Sequence, residues 1–252
     1  MDEISKVNLD KVDAADVLLI GPFQAGKSSF ANTISSIEKG RIACKTAALG
    51  ANDTVTQRFI TIPCKGHLKN LRLKDSVGIR DGERFDTTYQ YISRILSGGV
   101  KHREKLPQKV PTELDELTPN KKTVHCVIFV VDANALKTYT TLDTPNRTET
   151  KLRILMKKVA DIGIPITLVL TKIDQLCREV EKDITDTFRS AKVKEAVDEA
   201  RRIFGFQEMN IFPVKNYEKE TAMNPFMNML HLEAMKTALY YSFDYLEGLT
   251  EN

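Results

Sequence analysis

"VLLIGPFQAGKSS", residues 17–29, is an apolar run that breaks into glycine and then into Gly26-Lys27-Ser28. Residues 17–20 read as the end of a short buried strand, and an α-helix is predicted over about 28–39. Between them lie Gly21, four further residues, and then Gly26, Lys27 and Ser28, a pattern built to hold phosphate. Glycine lets the backbone wrap closely, so the N–H groups of Phe23, Gln24, Ala25 and Gly26 point inward as an anion nest. The helix beginning at Ser28 and Ser29 adds its positive N-terminal end. Lys27 is expected to reach the β- and γ-phosphates, and the Ser28 hydroxyl to ligate Mg²⁺.

The chain around this motif is ordinary for a globular protein. Its 252 residues suit one large domain, with 42% hydrophobic and 28% charged residues. A net charge of +3 is too small to argue for nucleic acid. No apolar run approaches the ~18 residues of a membrane span, and the charged opening "MDEISKVNLDK" has no signal-peptide core. Cys44, Cys64, Cys126 and Cys177 are scattered, which reads as reduced thiols in a cytoplasmic protein. Cys64 and His67 form a C-x-x-H, but no second pair completes a zinc site.

Strands alternate with helices along the chain. "VTQRFITIPC" and "LKNLRLKD" read as a hairpin around Gly66, followed by a helix over about 86–97. Residues 98–122, rich in Gly, Pro and charge, read as a polar insertion. "TVHCVIFVVDA" is the strongest strand, a β-branched run of the kind buried in parallel sheets. Then come a helix over about 148–162, the strand "PITLVLT", a charged region, a helix over about 190–204, the strand "NIFPV" and a helix from about 226. The expected fold is an α/β P-loop G domain: a mostly parallel sheet of about six strands, one of them antiparallel, with helices on both faces. Residues 1–14 read as an N-terminal extension and 15–252 as the G domain. Ligands of such sheets bind where loops leave the carboxyl ends of the strands, which is where the motifs fall.

A second motif must hold the metal and sense the γ-phosphate. "DSVG" ends the second hairpin strand; Asp75 would hold Mg²⁺ through water and the Gly78 N–H would touch the γ-phosphate. "VIFVVD" competes, because its Asp132 resembles the strand-end acid of many P-loop ATPases. The base end decides between them. "TKID", Thr171 to Asp174, matches a guanine-reading pattern in which the carboxylate accepts from N1–H and the 2-amino group while the Lys172 stem lies against the base. Hydrogen bonds to a charged partner contribute about 1.5–3 kcal/mol each, so losing two costs roughly 3–6 kcal/mol, on the order of 10² to 10⁴ in preference over adenine. "FPVKNY" then offers Lys215 and Asn216, with a backbone N–H for guanine O6 and the Asn216 side chain as a further contact.

Through "VLLIGPFQAGKSSFANTI", "DSVGIRDGE", "VLTKID" and "FPVKNY" the chain resembles the interferon-induced forty-four-type GTPase family over about residues 15–247. Dynamin-like and septin-like GTPases are more distantly similar. The resemblance implies a Mg²⁺-dependent domain binding GTP and GDP, pairing through the G domain, and a part in innate immune responses. It also implies a switch threonine on Mg²⁺, carried to Thr54 with Thr56 as second choice. Turnover is where the sequence departs from Ras-like proteins. Ile79 stands where a water-orienting Gln is usual, and Phe23 stands where small GTPases carry glycine. Gln24 from the P-loop, or Arg80 or Arg84 as an arginine finger, are the candidates to compensate. Slow GTP hydrolysis is expected, faster on dimerisation. A GTP-dependent scaffold without hydrolysis and a P-loop ATPase are the alternatives.

Overall fold

A computed structural model describes residues 12–43, 58–80, 85–105, 124–144 and 147–249. Six strands form one sheet: β1 (Ala15–Ile20), β2 (Ile60–Pro63), β3 (Leu71–Asp75), β4 (Cys126–Asp132), β5 (Ile166–Thr171) and β6 (Ile211–Pro213). Their order is β2-β3-β1-β4-β5-β6, and only β2 runs antiparallel, against β3. The helices are α1 (Lys27–Lys39), α2 (Phe85–Leu96), α3 (Thr148–Asp161), α4 (Arg178–Lys182), α5 (Ala191–Phe204) and α6 (Pro225–Gly248). The expected α/β architecture is therefore the one observed. The short helix α4 and the 3₁₀ turns at Ile173–Gln175 and Ile184–Phe188 occupy the stretch that reads only as charge in the sequence.

Chain direction explains the layering. From β1 the chain crosses outward to β3, whereas from β3 it crosses back over β1 to β4. Right-handed crossovers in opposite directions put their helices on opposite faces. Thus α1 lies on one face, where α6 joins it across β1 and β4. On the other face α2 meets α3 through Lys158, whose Nζ donates to the Tyr89 hydroxyl at 2.8 Å. Both faces being covered, β1 is buried at every position and β4 at all but Asp132.

Local sequence sets the helix ends. Asn224 accepts from the N–H groups of Phe226 and Met227 at 2.9 and 3.1 Å, with Pro225 opening α6. Ser190 accepts from Val193 N–H at 3.3 Å to start α5, and Gly205 ends it at φ 77°. Helix α1 begins without any side-chain cap, directly after Gly26 at φ 90°. Its first N–H groups face the loop that precedes it.

The strand β2 is short, sits at the sheet edge and ends in Pro63, a position that spares a ladder donor. Within the described part of the polar insertion, residues 98–105, Arg103, Glu104 and Lys105 pair with residues 58–59, the chain leading into β2. Arg103 N–H donates to Phe59 O at 2.6 Å, and Phe59 N–H to Glu104 O at 2.9 Å.

Candidate functional site

The sheet register brings the motif-bearing strand ends to one edge. Leu19 pairs with Asp75, Ile20 with Phe129, Asp132 with Thr171 and Leu170 with Pro213. Each loop that leaves these ends carries one of the sequence motifs.

The phosphate end is built on the loop 21–28. Lys27 is 5% exposed and donates to the carbonyls of Gly21 at 3.1 Å and Pro22 at 2.8 Å. Burial lowers its pKa to about 8, against the opposing pull of Asp75. The Ser28 hydroxyl donates to Asp75 Oδ2 at 2.6 Å. Asp75 Oδ1 is buried and accepts no hydrogen bond from the described residues. Burial pushes the Asp75 pKa up, opposed by Lys27 and then by Ser28. A buried carboxylate oxygen without a donor, beside a hydroxyl, is a hard oxygen set suited to a divalent cation. Ser29 follows, half-buried, in the first turn of α1.

The chain after β3 lies across this loop. Phe23 N–H donates to Ile79 O at 2.7 Å, and Ile79 N–H donates to Gly21 O at 3.0 Å. Between them a Cβ on Gly78 would stand 2.7 Å from Phe23 Cα and 3.1 Å from Lys27 Nζ. No other residue fits there. Ile79 itself is buried, and its side chain offers no group to orient water. The Arg80 guanidinium stacks on the Phe23 ring, 4.4 Å from its centroid. Lys151, from the first turn of α3, donates to the Arg80 carbonyl at 2.9 Å. Gln24 is exposed with φ 61°, a left-handed conformation unusual for a residue other than glycine.

The base end is tied to the phosphate end. Thr171 Oγ1 donates to Ala25 O at 2.7 Å, and its carbonyl-bearing strand end leads straight into Lys172 at φ 58°. Lys172 Nζ pairs with Asp132 Oδ2 at 2.8 Å, while Asp132 Oδ1 caps Asn134 N–H at 2.9 Å. Of the two strand-end acids, Asp75 meets Ser28 and Asp132 meets Lys172. Asp174 is half-buried, which raises its pKa; Lys215 opposes the rise from 3.9 Å and itself pairs with Glu220 at 2.9 Å. The Asn216 side chain, read as a further contact beside the backbone N–H expected at guanine O6, is turned inward. Its Nδ2 donates to Gly26 O at 3.2 Å and its Oδ1 meets His231 Nε2 at 3.0 Å. Thr54, Thr56 and Arg84 lie outside the described residues.

Sequence reasoning missed the bracing role of Thr171 and the whole contribution of His231. The only signal for Thr171 was its place at the strand end. A single histidine within a long helix rich in apolar residues gives no signal at all.

Comparison with known proteins follows the same lines. A family model described as "50S ribosome-binding GTPase" matches residues 16–172. Interferon-induced protein 44 of Mus musculus is 29% identical over 254 residues, covering 96% of this chain and 58% of that protein. Interferon-induced protein 44-like of Homo sapiens is 27% identical, covering 95% of this chain and 54% of its own. The chain thus spans little more than half the length of these relatives. The crystal structure of a probable GTP-binding protein, engB, shares the fold with a TM-score of 0.50 at 13% identity, covering 93% of this chain and 100% of that one. With a matched P-loop, a matched sheet and a family model that reaches from β1 to the residue after β5, the chain belongs to the 50S ribosome-binding GTPase family and carries its GTP-binding P-loop domain, with interferon-induced protein 44 among its relatives.

Proposed function

We propose that this domain binds GTP and GDP with Mg²⁺ and hydrolyses GTP slowly, and that its nucleotide state governs self-association or the binding of a protein partner. The observation that carries the reading is the Ser28–Asp75 hydrogen bond beside an Asp75 Oδ1 that has no donor among the described residues. It favours Asp75 over Asp132 as the acid beside the metal, since Asp132 is engaged by Lys172. Ser28 and Asp75 would hold Mg²⁺, directly and through water, with Thr54 as the expected switch ligand. Bound there, the ion supplies neutralisation of phosphate charge. Lys27 and the loop N–H groups hold the phosphates, and the Gly78 N–H senses the γ-phosphate. Asp174 reads the base, with Lys172 along its face and the 214–216 backbone near O6.

Hydrolysis is slow on this reading because Ile79 cannot position water. Gln24, or Arg80 or Arg84 as an arginine finger, would do so instead, and the Arg80–Phe23 stack supports Arg80 by holding a guanidinium at the rim of the P-loop. An innate immune setting rests on the similarity to interferon-induced protein 44, and a cytoplasmic one on the buried, separate thiols of Cys64, Cys126 and Cys177. A second reading, a GTP-dependent scaffold without turnover, is favoured by the burial of Ile79. Single-turnover hydrolysis measured over a range of protein concentration separates the two. A rate that climbs with concentration is expected for a GTPase completed by self-association; a flat rate near background leaves the scaffold.

A further inference from the structure

His231 is the one buried histidine on α6, and the site described above does not use it. Its ring stacks on Phe30 of α1 with centroids 5.2 Å apart, and it is fully enclosed. Nδ1 lies 2.8 Å from Met227 O and Nε2 lies 3.0 Å from Asn216 Oδ1. The other end of that amide, Nδ2, donates to Gly26 O. The path therefore runs from helix α6 through the 214–216 loop to the glycine before the P-loop lysine.

Donors and acceptors along this path do not balance for a neutral ring. Met227 O and Gly26 O are acceptors, and an amide has one donating and one accepting end. Burial holds the His231 pKa down to about 4, so near neutral pH the ring carries a single N–H. If that proton sits on Nε2, it donates to Asn216 Oδ1, the amide donates to Gly26 O, and Nδ1 faces Met227 O without a proton. If it sits on Nδ1, it serves Met227 O, and the bare Nε2 then opposes Asn216 Oδ1, a repulsion relieved when the amide turns over to donate to Nε2; in the turned amide the oxygen faces Gly26 O, and the P-loop carbonyl is released. Each arrangement makes two hydrogen bonds and leaves one opposed pair, and both carbonyls have a helix N–H besides, Gly26 O accepting from Phe30 N–H at 2.8 Å.

We infer that His231 is a positioning residue for the P-loop: with its proton on Nε2 it fixes the Asn216 amide so that the amide's N–H holds the Gly26 carbonyl. This rests in its last link on the phosphate reading of the loop. Gly26 C=O and Lys27 N–H belong to one peptide group, so a phosphate that accepts from the N–H makes the carbonyl a stronger acceptor. Bound nucleotide thereby favours the arrangement in which Asn216 donates to Gly26 and His231 carries its proton on Nε2. The state of the phosphate site is in this way written into a side chain of the C-terminal helix.

The test is nitrogen-15 NMR of the imidazole in the whole chain, free and with GDP and Mg²⁺, together with GDP affinity of variants. With GDP bound, Nε2 is expected to carry the proton; an unprotonated Nε2 in the GDP complex overturns the inference. Asn216→Ala and His231→Phe are each expected to weaken GDP binding about tenfold, the loss of one hydrogen bond to a buried group. The double variant is expected to be no weaker than either alone, and His231→Gln, which supplies a donor without a ring, to recover most of the affinity. Wild-type affinity in His231→Phe, or losses that multiply, contradicts the link. If the wild-type chain binds no GDP, the nucleotide reading itself fails. The link is then judged in the free protein: Asn216→Ala must move the His231 Nε2 resonance, and an unmoved resonance sinks it.

Discussion

Lys27 is a buried ammonium waiting for negative charge. Its pKa of about 8 lies below the usual 10.5 because burial outweighs the pull of Asp75. The folded protein thus binds fewer protons here than the unfolded chain. The cost of burying the charge is present in full below about pH 8 and is relieved as pH rises toward the unfolded value. A bound phosphate reverses the preference, since it favours the ammonium. Nucleotide binding is then expected to take up a proton above about pH 8, with affinity falling toward tenfold per pH unit. Isothermal titration in buffers of different ionisation enthalpy reads that proton directly, and Lys27→Met is expected to bind weakly with no such slope.

Gly78 shows a second kind of constraint, set by space. A Cβ there would stand 2.7 Å from Phe23 Cα and 2.9 Å from Phe23 N, and backbone atoms cannot step aside as a side chain tip can. Gly78→Ala must break the paired hydrogen bonds between Phe23, Ile79 and Gly21 to make room. GTP affinity is expected to drop by about tenfold or more, the equivalent of one or two hydrogen bonds, while GDP affinity changes little. Competition binding of the two nucleotides checks it. Gly21 is also confined, for a reason the sequence hides. A Cβ there would meet Val130 O at 2.0 Å, so this glycine answers to the neighbouring strand β4.

Elements were legible where a local pattern has a local cause. The run 126–132 is a strand because it is β-branched and buried on both faces; α1, α3 and α6 follow from apolar spacing. The short helix α4 escaped because its five residues, "REVEK", carry one apolar side chain and no period to read. Links between elements were out of reach for a different reason. Thr171 bonds to Ala25 across 146 residues and Asn216 to Gly26 across 190, distances at which sequence pattern holds no information about which donor meets which acceptor. The sequence therefore points to the loops and leaves unread that the Asn216 amide turns inward to Gly26 and His231. Thr171→Val keeps the shape of the strand end and removes the hydroxyl that joins it to the P-loop. It is expected to cost about 1–3 kcal/mol in stability, because Ala25 O loses its buried donor. Chemical denaturation measures this, with a parallel loss of nucleotide affinity expected as the P-loop loosens.

For the whole molecule, the arrangement reduces to two groups of loops at one edge of the sheet, tied to each other. β1 and β3 present the phosphate loop and Asp75; β5 and β6 present Asp174 and the 214–216 turn. Thr171 and Asn216 tie the second pair to the first. A nucleotide that fits must satisfy both ends, which is why base selectivity and phosphate binding are expected to fail together when either tie is cut. The chain covers little more than half the length of its curated relatives.

On the proposed function, Lys27 and Asp174 hold the two ends of a guanine nucleotide. The most direct measurement of this is displacement of fluorescent GDP by GDP, GTP, ADP and xanthosine diphosphate, with and without Mg²⁺, in the wild type and in Asp174→Asn. Guanine nucleotides are expected to displace the probe and ADP to fail by about a hundredfold or more. Asp174→Asn is expected to exchange guanine for xanthine preference. Equal displacement by ADP, or an Asp174→Asn variant that still prefers guanine, would contradict the account.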